Sequence, residues 1–301
     1  MSLSCVGGVD AGGTKFVCAI GAGPHDLRAR ASFPTTTPAE TLGRAVEFFR
    51  DHAPRAPFAA LGIACFGPLD LARDSPTAGC ITDTPKPGWS GVDVAGAFRE
   101  LGVPVAIDTD VNGAALGETR WGAGVGCDPI VYVTVGTGIG GGAIVGGRPI
   151  HGLVHPEMGH MRIPRVAGDA FPGACPFHGD CLEGLASGRA VHARRGLPGE
   201  ALAADDPVWD LEACYLALGL VNVITVLSPR RIIVGGGVMR REGLLGRIRE
   251  EVRSLLAGYV RAGAVTAAIE SYIVEPGLGE RAGVLGALAL AQEESGTHAD
   301  R

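Results

Sequence analysis

The stretch Cys5-Val6-Gly7-Gly8-Val9-Asp10-Ala11-Gly12-Gly13-Thr14-Lys15-Phe16-Val17-Cys18-Ala19-Ile20-Gly21 reads as an apolar strand, a polar glycine tip and a second apolar strand. That order predicts a β-hairpin with an enlarged turn. The pattern returns further along: Ile130 to Val135 is apolar, Gly136 to Gly142 is glycine-rich, and Ala143 to Val145 is apolar again. A strand, a glycine-and-threonine turn and a strand, met twice in one chain, predict two related α/β domains facing each other.

Between and after these hairpins the periodicity switches to that of helices. Thr37-Pro38-Ala39-Glu40 supplies an N-cap, a proline in the first turn and a carboxylate three residues on, and Leu42, Ala45, Val46 and Phe49 follow at helical spacing, so a helix is expected from about Pro38 to His52. Strands are expected at Ala59 to Ala64 and Val105 to Ile107, with a helix after Asn112. Trp209 to Leu227 reads as a long buried helix leading through Ser228-Pro229 into a strand at Arg231 to Val234 and the loop Gly235-Gly236-Gly237. A last helix is expected from about Glu280 to Gln292. The domains drawn from this are residues 1–120, completed by the helix at about 280–293, and residues 121–279.

Composition narrows the function classes. Hydrophobic residues make up 46% and charged residues 19% of the 301, with a formal net charge of −6, which disfavours a general nucleic-acid or anionic-membrane binder and leaves small molecules as the expected partners. Forty-eight glycines are more than twice ordinary usage and predict tight turns at several places. No charged segment followed by an apolar run opens the chain, so export is not expected and a cytoplasmic location is. The longest uncharged apolar stretch, Ala213 to Leu227, is too short to span a bilayer. Eight cysteines in that setting point to thiols or metal rather than disulfides.

Both glycine turns can approach an anion closely. In Asp10-Ala11-Gly12-Gly13-Thr14-Lys15 the glycines free backbone N–H groups for phosphate, Thr14 adds a hydroxyl and Lys15 a charge. A P-loop is excluded, because the order is Thr-Lys and a strand follows; the dinucleotide fingerprint is excluded for Gly136-Thr137-Gly138-Ile139-Gly140-Gly141, because Ala143 to Val145 continues as strand where a helix is required. Plain hairpin turns remain the alternative for either loop alone. Two such loops and a third glycine run at Gly235-Gly236 favour a nucleotide.

Two further constellations carry chemistry. Asp110, in Asp108-Thr109-Asp110 after a buried strand, is either a helix cap or a carboxylate presented at a strand end. His160, Cys175, His178 and Cys181 offer two imidazoles and two thiolates, three of them spaced Cys-x-x-His-x-x-Cys, a donor set for a tetrahedral structural Zn²⁺ within an insertion at about 155–185. Glu157 lies three residues before His160 and Glu183 two after Cys181, so fixing the ligands fixes both carboxylates; solvent exposure is the alternative for each.

The hairpin Asp10 to Lys15, the segment DTDVNGAALGE around Asp110 and Asn112, HPEMGH and CPFHGDCLEG together resemble the ROK family of sugar kinases and repressors, over residues 5 to 292. The variant CPFHGDC, HPEMGH and Thr84 to Trp89 look most like its fructokinase branch. The resemblance implies a two-domain actin-like, hexokinase-type (ribonuclease H-like) ATPase fold with its active site in the interdomain cleft. It implies ATP-dependent phosphorylation of a hexose, most readily fructose, in a homodimer. Asp110 becomes the catalytic base. Gly67, Pro68, Thr109, Asn112, Glu157, His160 and Glu183 become the sugar side. Asp10, Gly12, Gly13, Thr14, Lys15, Thr137, Gly138, Gly235 and Gly236 become the ATP and Mg²⁺ side. The family usually has asparagine where this chain has Thr109, whose contact with a sugar hydroxyl is then weaker or rearranged. A glucokinase or a kinase of N-acylated hexosamines would use the same parts. A sugar-responsive regulator is the alternative of another class; those of the family carry a helix-turn-helix ahead of the first hairpin, and here the hairpin begins by residue 10.

Overall fold

The computed structural model describes residues 5–299. The opening stretch forms the expected antiparallel pair, β1 (Val6–Ala11) and β2 (Lys15–Gly23), with Asp10 opposite Val17 and Ala11 opposite Phe16. β2 pairs onward with β3 (Asp26–Pro34), a strand the sequence reading left out. Its alternation is plain in retrospect: Leu27, Ala29, Ala31 and Phe33 turn inward while Arg28, Arg30 and Ser32 are exposed.

The helix α1 (Pro38–His52) begins as its cap predicts, with the Thr37 hydroxyl accepting from the Glu40 N–H. It buries Leu42, Ala45, Val46 and Phe49 against the first core. Then β4 (Leu61–Cys65) runs parallel to β1, and β5 (Val105–Thr109) runs parallel to β4, giving the sheet order β3-β2-β1-β4-β5. The helix α2 (Asp110–Trp121) starts three residues earlier than the sequence reading, which had it follow Asn112.

The second hairpin repeats the first. β6 (Ile130–Val135) and β7 (Ile139–Val145) pair antiparallel, and β8 (Arg148–Pro149) follows a two-glycine turn. Helices α3 (Leu182–Ala186), α4 (Gly188–Arg195) and α5 (Val208–Leu227) precede β9 (Arg231–Gly235), which runs parallel to β6 as β4 does to β1. After α6 (Leu244–Leu256), α7 (Gly263–Thr266) and α8 (Ile269–Tyr272), β10 (Ile273–Val274) completes the sheet order β10-β9-β6-β7-β8. Among the described residues α5 alone is long and apolar enough to cross a membrane. It packs against α3 and α6, burying Trp209, Tyr215, Leu216, Leu220 and Ile224.

The chain closes with α9 (Ala282–Ala299), which lies on α2 and on β1, β2 and β4. The approach is backbone to backbone: a Cβ at Gly286 would come within 1.8 Å of the Gly113 carbonyl oxygen, and one at Gly62 within 1.9 Å of that of Ala287. Only glycine fits at either position.

Contacts divide the chain into two compact units. The first holds the described residues up to Val125, Gly147–Pro156 and the stretch from Gly277 on; the second holds Gly126–Gly146 and Glu157–Pro276.

Candidate active site

Three parallel strands of the first sheet end at one level, since Asp10 pairs with Ala64 and Ala64 with Asp108, while Cys65 pairs with Thr109. Carboxyl ends of parallel strands are where α/β sheets present ligand-binding groups. The Thr109 hydroxyl accepts from the Asn112 N–H at 3.2 Å, so Thr109 takes the capping role and Asp110 becomes the first helical residue. Burial pushes the Asp110 carboxyl up to about 6, although the Val111 N–H donates to Oδ1 at 2.9 Å and pulls the other way. Burial likewise lifts Asp10 to about 7, helped by the charge of Asp110 and opposed by Lys15. The two carboxylates therefore share one electrostatic environment.

Asp108 anchors the neighbouring network. Its Oδ1 accepts from the Thr109 N–H at 2.7 Å and from Asn112 Nδ2 at 2.8 Å, and its Oδ2 pairs with His151 Nε2 at 2.9 Å. That hydrogen bond raises the His151 pKa. Asn112 is 1% exposed, and its Oδ1 has no hydrogen-bond partner among the described residues. A buried carbonyl oxygen without a donor is costly in the free protein.

His155, also buried, accepts from the Leu69 N–H at Nε2 over 3.0 Å, and burial lowers its pKa, which favours the neutral ring that this bond requires. The ring lies against Gly67, which precedes Pro68 through a cis peptide bond. Asp108, His151 and His155 were not among the candidate site residues read from the sequence. The Asp-x-Asp-x-Asn run was the available signal for Asp108; nothing in the sequence pairs it with position 151.

At the first glycine tip the Gly12 N–H donates to the Lys15 carbonyl at 3.1 Å, Thr35 Oγ1 donates to the Gly12 carbonyl at 2.7 Å, and the Thr35 N–H donates to that of Thr14 at 2.9 Å. Thr14 and Lys15 are exposed, with Gly12 and Gly13 half-buried. In the second unit the Gly136 N–H donates to the Gly138 carbonyl at 2.9 Å. Thr134 pairs with Gly235, so the end of β9 lies beside the end of β6, next to the Gly136–Gly138 turn. Gly236, at φ +102°, could not carry a Cβ without meeting the Val135 carbonyl oxygen at 2.3 Å.

Also in the second unit, His160, Cys175, His178 and Cys181 bring one donor atom each within 4.8 Å of one another. Cys175 Sγ is 3.7 Å from His160 Nδ1 and 3.6 Å from His178 Nδ1, and Cys181 Sγ is 3.5 Å from His160 Nδ1. A tetrahedral zinc ion with ordinary Zn–S and Zn–N bonds sets the sulfur-to-nitrogen edge at about 3.6 Å, so the donor set fits zinc. Glu157 is exposed at the head of a 3-10 turn whose His160 N–H donates to its carbonyl at 2.9 Å. Glu183, half-buried on α3, accepts from the Ile139 N–H at Oε2 over 2.9 Å.

Two sheets, each built from an antiparallel hairpin whose first strand continues into a parallel neighbour, with buried acids at strand ends and glycine turns at hairpin tips, define the actin-like ATPase class of α/β proteins. The chain belongs to the ROK family, which it matches over residues 6–294. It is 48% identical over 294 residues to a protein of Zymomonas mobilis named fructokinase, covering 95% of each chain. Among solved structures it is similar to the ROK hexokinase of Thermus thermophilus, with a TM-score of 0.80 and 29% identity over 97% of this chain and 99% of the other. It is also similar to a ROK family glucokinase of Streptomyces griseus in complex with glucose and AMPPNP, with a TM-score of 0.75 and 27% identity over 96% and 99%.

Proposed function

We propose that this chain transfers the γ-phosphoryl group of ATP to a hexose hydroxyl, with fructose as acceptor and fructose 6-phosphate as product. The observation that carries the reaction is the half-buried Asp110, the first residue of α2 after β5, whose carboxyl desolvation lifts to about 6. Such a group is ionised at neutral pH yet a far better proton acceptor than a solvated aspartate. The hydroxyl proton passes to Asp110 as the oxygen attacks the γ-phosphorus. The bond from that phosphorus to the β–γ bridging oxygen breaks, and its electron pair leaves with ADP.

The rest of the machinery is positional. Asn112 offers its unpartnered Oδ1 to a sugar hydroxyl. Thr109, Gly67 and Pro68 join it on the sugar side, as do Glu157, His160 and Glu183. Gly12, Gly13, Thr14 and Lys15 hold phosphate oxygens, as do Thr137, Gly138, Gly235 and Gly236; among the described residues the N–H groups of Gly13, Thr14, Thr137 and Gly138 have no partner. Mg²⁺ carried with ATP neutralises the β- and γ-phosphates, and Asp10 is the carboxylate that would hold it. Zinc at the four-ligand cluster is structural, since no ligand position is left open. The choice of fructose over glucose follows the 48% identity to the Zymomonas fructokinase against 27% to the Streptomyces glucokinase. A cytoplasmic homodimer completes this reading.

An ADP-release assay across fructose, glucose, mannose and N-acetylated hexoses tests it. Fructose should give the highest kcat/KM; turnover on another hexose alone would reassign the acceptor, and no turnover on any would leave a sugar-binding regulator.

A further inference from the structure

Glu183 stands in two places at once. It is the second residue of α3, whose N-cap is the zinc-ligand residue Cys181, and its Oε2 accepts from the N–H of Ile139, the first residue of β7 after the glycine turn. The carboxylate presses on that turn: a Cβ at Gly138 would lie 2.4 Å from Oε2. The chain after Glu183 holds the same turn from the same side. The Ser187 N–H donates to the Glu183 carbonyl at 3.1 Å, the Gly188 N–H to the Gly136 carbonyl at 2.7 Å, and the Arg189 N–H to that of Thr137 at 3.3 Å. On the ligand side of the cluster, Gly159, beside His160, abuts the Ile139 carbonyl so closely that a Cβ there would come within 1.8 Å of the oxygen.

We propose that Glu183 is a positioning residue for the nucleotide: it couples the zinc loop to the Gly136–Ile139 turn, so that the metal shapes phosphate binding as well as the sugar side. This rests on the reading that the turn holds ATP phosphates. The physical argument is one of spent hydrogen bonds. The carbonyls of Gly136, Thr137 and Gly138 and the N–H of Ile139 are all engaged by the protein, which leaves the N–H groups of Thr137 and Gly138 for an anion. Without the carboxylate the Ile139 N–H loses its acceptor and the turn loses the brace that fixes its donors before the ligand arrives. What the turn needs from residue 183 is an acceptor atom at that point, and a glutamine oxygen supplies one.

Calorimetry with a non-hydrolysable ATP analogue separates the possibilities, using full-length protein loaded with zinc or stripped of it. Glu183→Ala, zinc-loaded, should bind the analogue about tenfold more weakly. Glu183→Gln should bind it within about twofold of the parent, while its KM for the hexose rises. Stripping zinc should weaken analogue binding in the parent and add little in Glu183→Ala, since both remove the same brace. Gly136→Ala is the control for the underlying reading: its Cβ meets nothing within 4 Å, so the fold accepts it, and the methyl stands on the turn itself. If Gly136→Ala weakens the analogue but Glu183→Ala does not, the coupling is overturned. If Gly136→Ala leaves binding unchanged, the turn is not a phosphate site and the reading beneath fails. Should the stripped protein unfold, the zinc-loaded Glu183 variants decide alone.

Discussion

Asp108 Oδ1 accepts from Asn112 Nδ2 at 2.8 Å, which orients the Asn112 amide so that its carbonyl oxygen is the atom without a partner. On the proposed function, that orientation prepares the acceptor for a sugar hydroxyl in advance. Asp108→Ala should free the amide and raise the Kd for the hexose by roughly 5- to 100-fold, with little change in nucleotide affinity. Calorimetry reads both. The same variant should lower the His151 pKa, because the hydrogen bond that raises it is gone, and proton NMR follows that titration.

Asp110→Asn should abolish turnover while leaving hexose and nucleotide bound. In the parent enzyme kcat/KM should fall about tenfold per pH unit below about 6, where the base becomes protonated. Near-normal turnover by the asparagine variant would remove Asp110 from the mechanism.

That same group makes stability depend on pH. Its folded value of about 6 lies above the ordinary 3.8, so the stability that goes with its protonated form is fully present below pH 3.8 and is lost as pH rises through 6. Asp110→Asn should therefore melt higher than the parent at pH 8 without ligand, by about 2–4 °C if the gain is near 1 kcal/mol, and the difference should close by pH 4. Calorimetric melts at the two pH values check the sign.

Removing zinc should weaken hexose binding more than nucleotide binding, because Glu157, His160 and Glu183 all belong to the loop or its flanks whereas the nucleotide keeps the turn at Gly12 to Lys15. Paired titrations with fructose and an ATP analogue on stripped protein measure the split; equal affinities with and without zinc would show that the metal shapes neither side.

Glu118, fully buried, accepts from the N–H groups of Ala123 and Gly277 at Oε2 and of Leu278 at Oε1. Glu118→Ala would leave three N–H groups without their acceptor, of which that of Leu278 is buried, at a cost of about 1–3 kcal/mol in urea unfolding.

Much of this was legible in the residues. Apolar runs around glycines gave both hairpins, the Thr37 to Glu40 cap gave α1, and the three-residue ligand spacing gave the metal cluster. β3 was passed over because its arginines masked an alternation that only one face of a sheet explains. Asp110 and Thr109 both suit an N-cap, and strand register, which no local pattern encodes, decided for Thr109. His151 meets Asp108 across 43 positions of chain, a pairing set by topology alone.

The closeness of α9 to Gly113 and Gly62 also bears on biosynthesis. A sheet formed by residues 6–109 receives its cover from α9, so this lobe emerges from the ribosome uncapped and its consolidation waits until that helix has been synthesised. Shortening the protein at its C-terminal side should accordingly produce a species prone to chaperone capture, even though every element of the early sheet has been made.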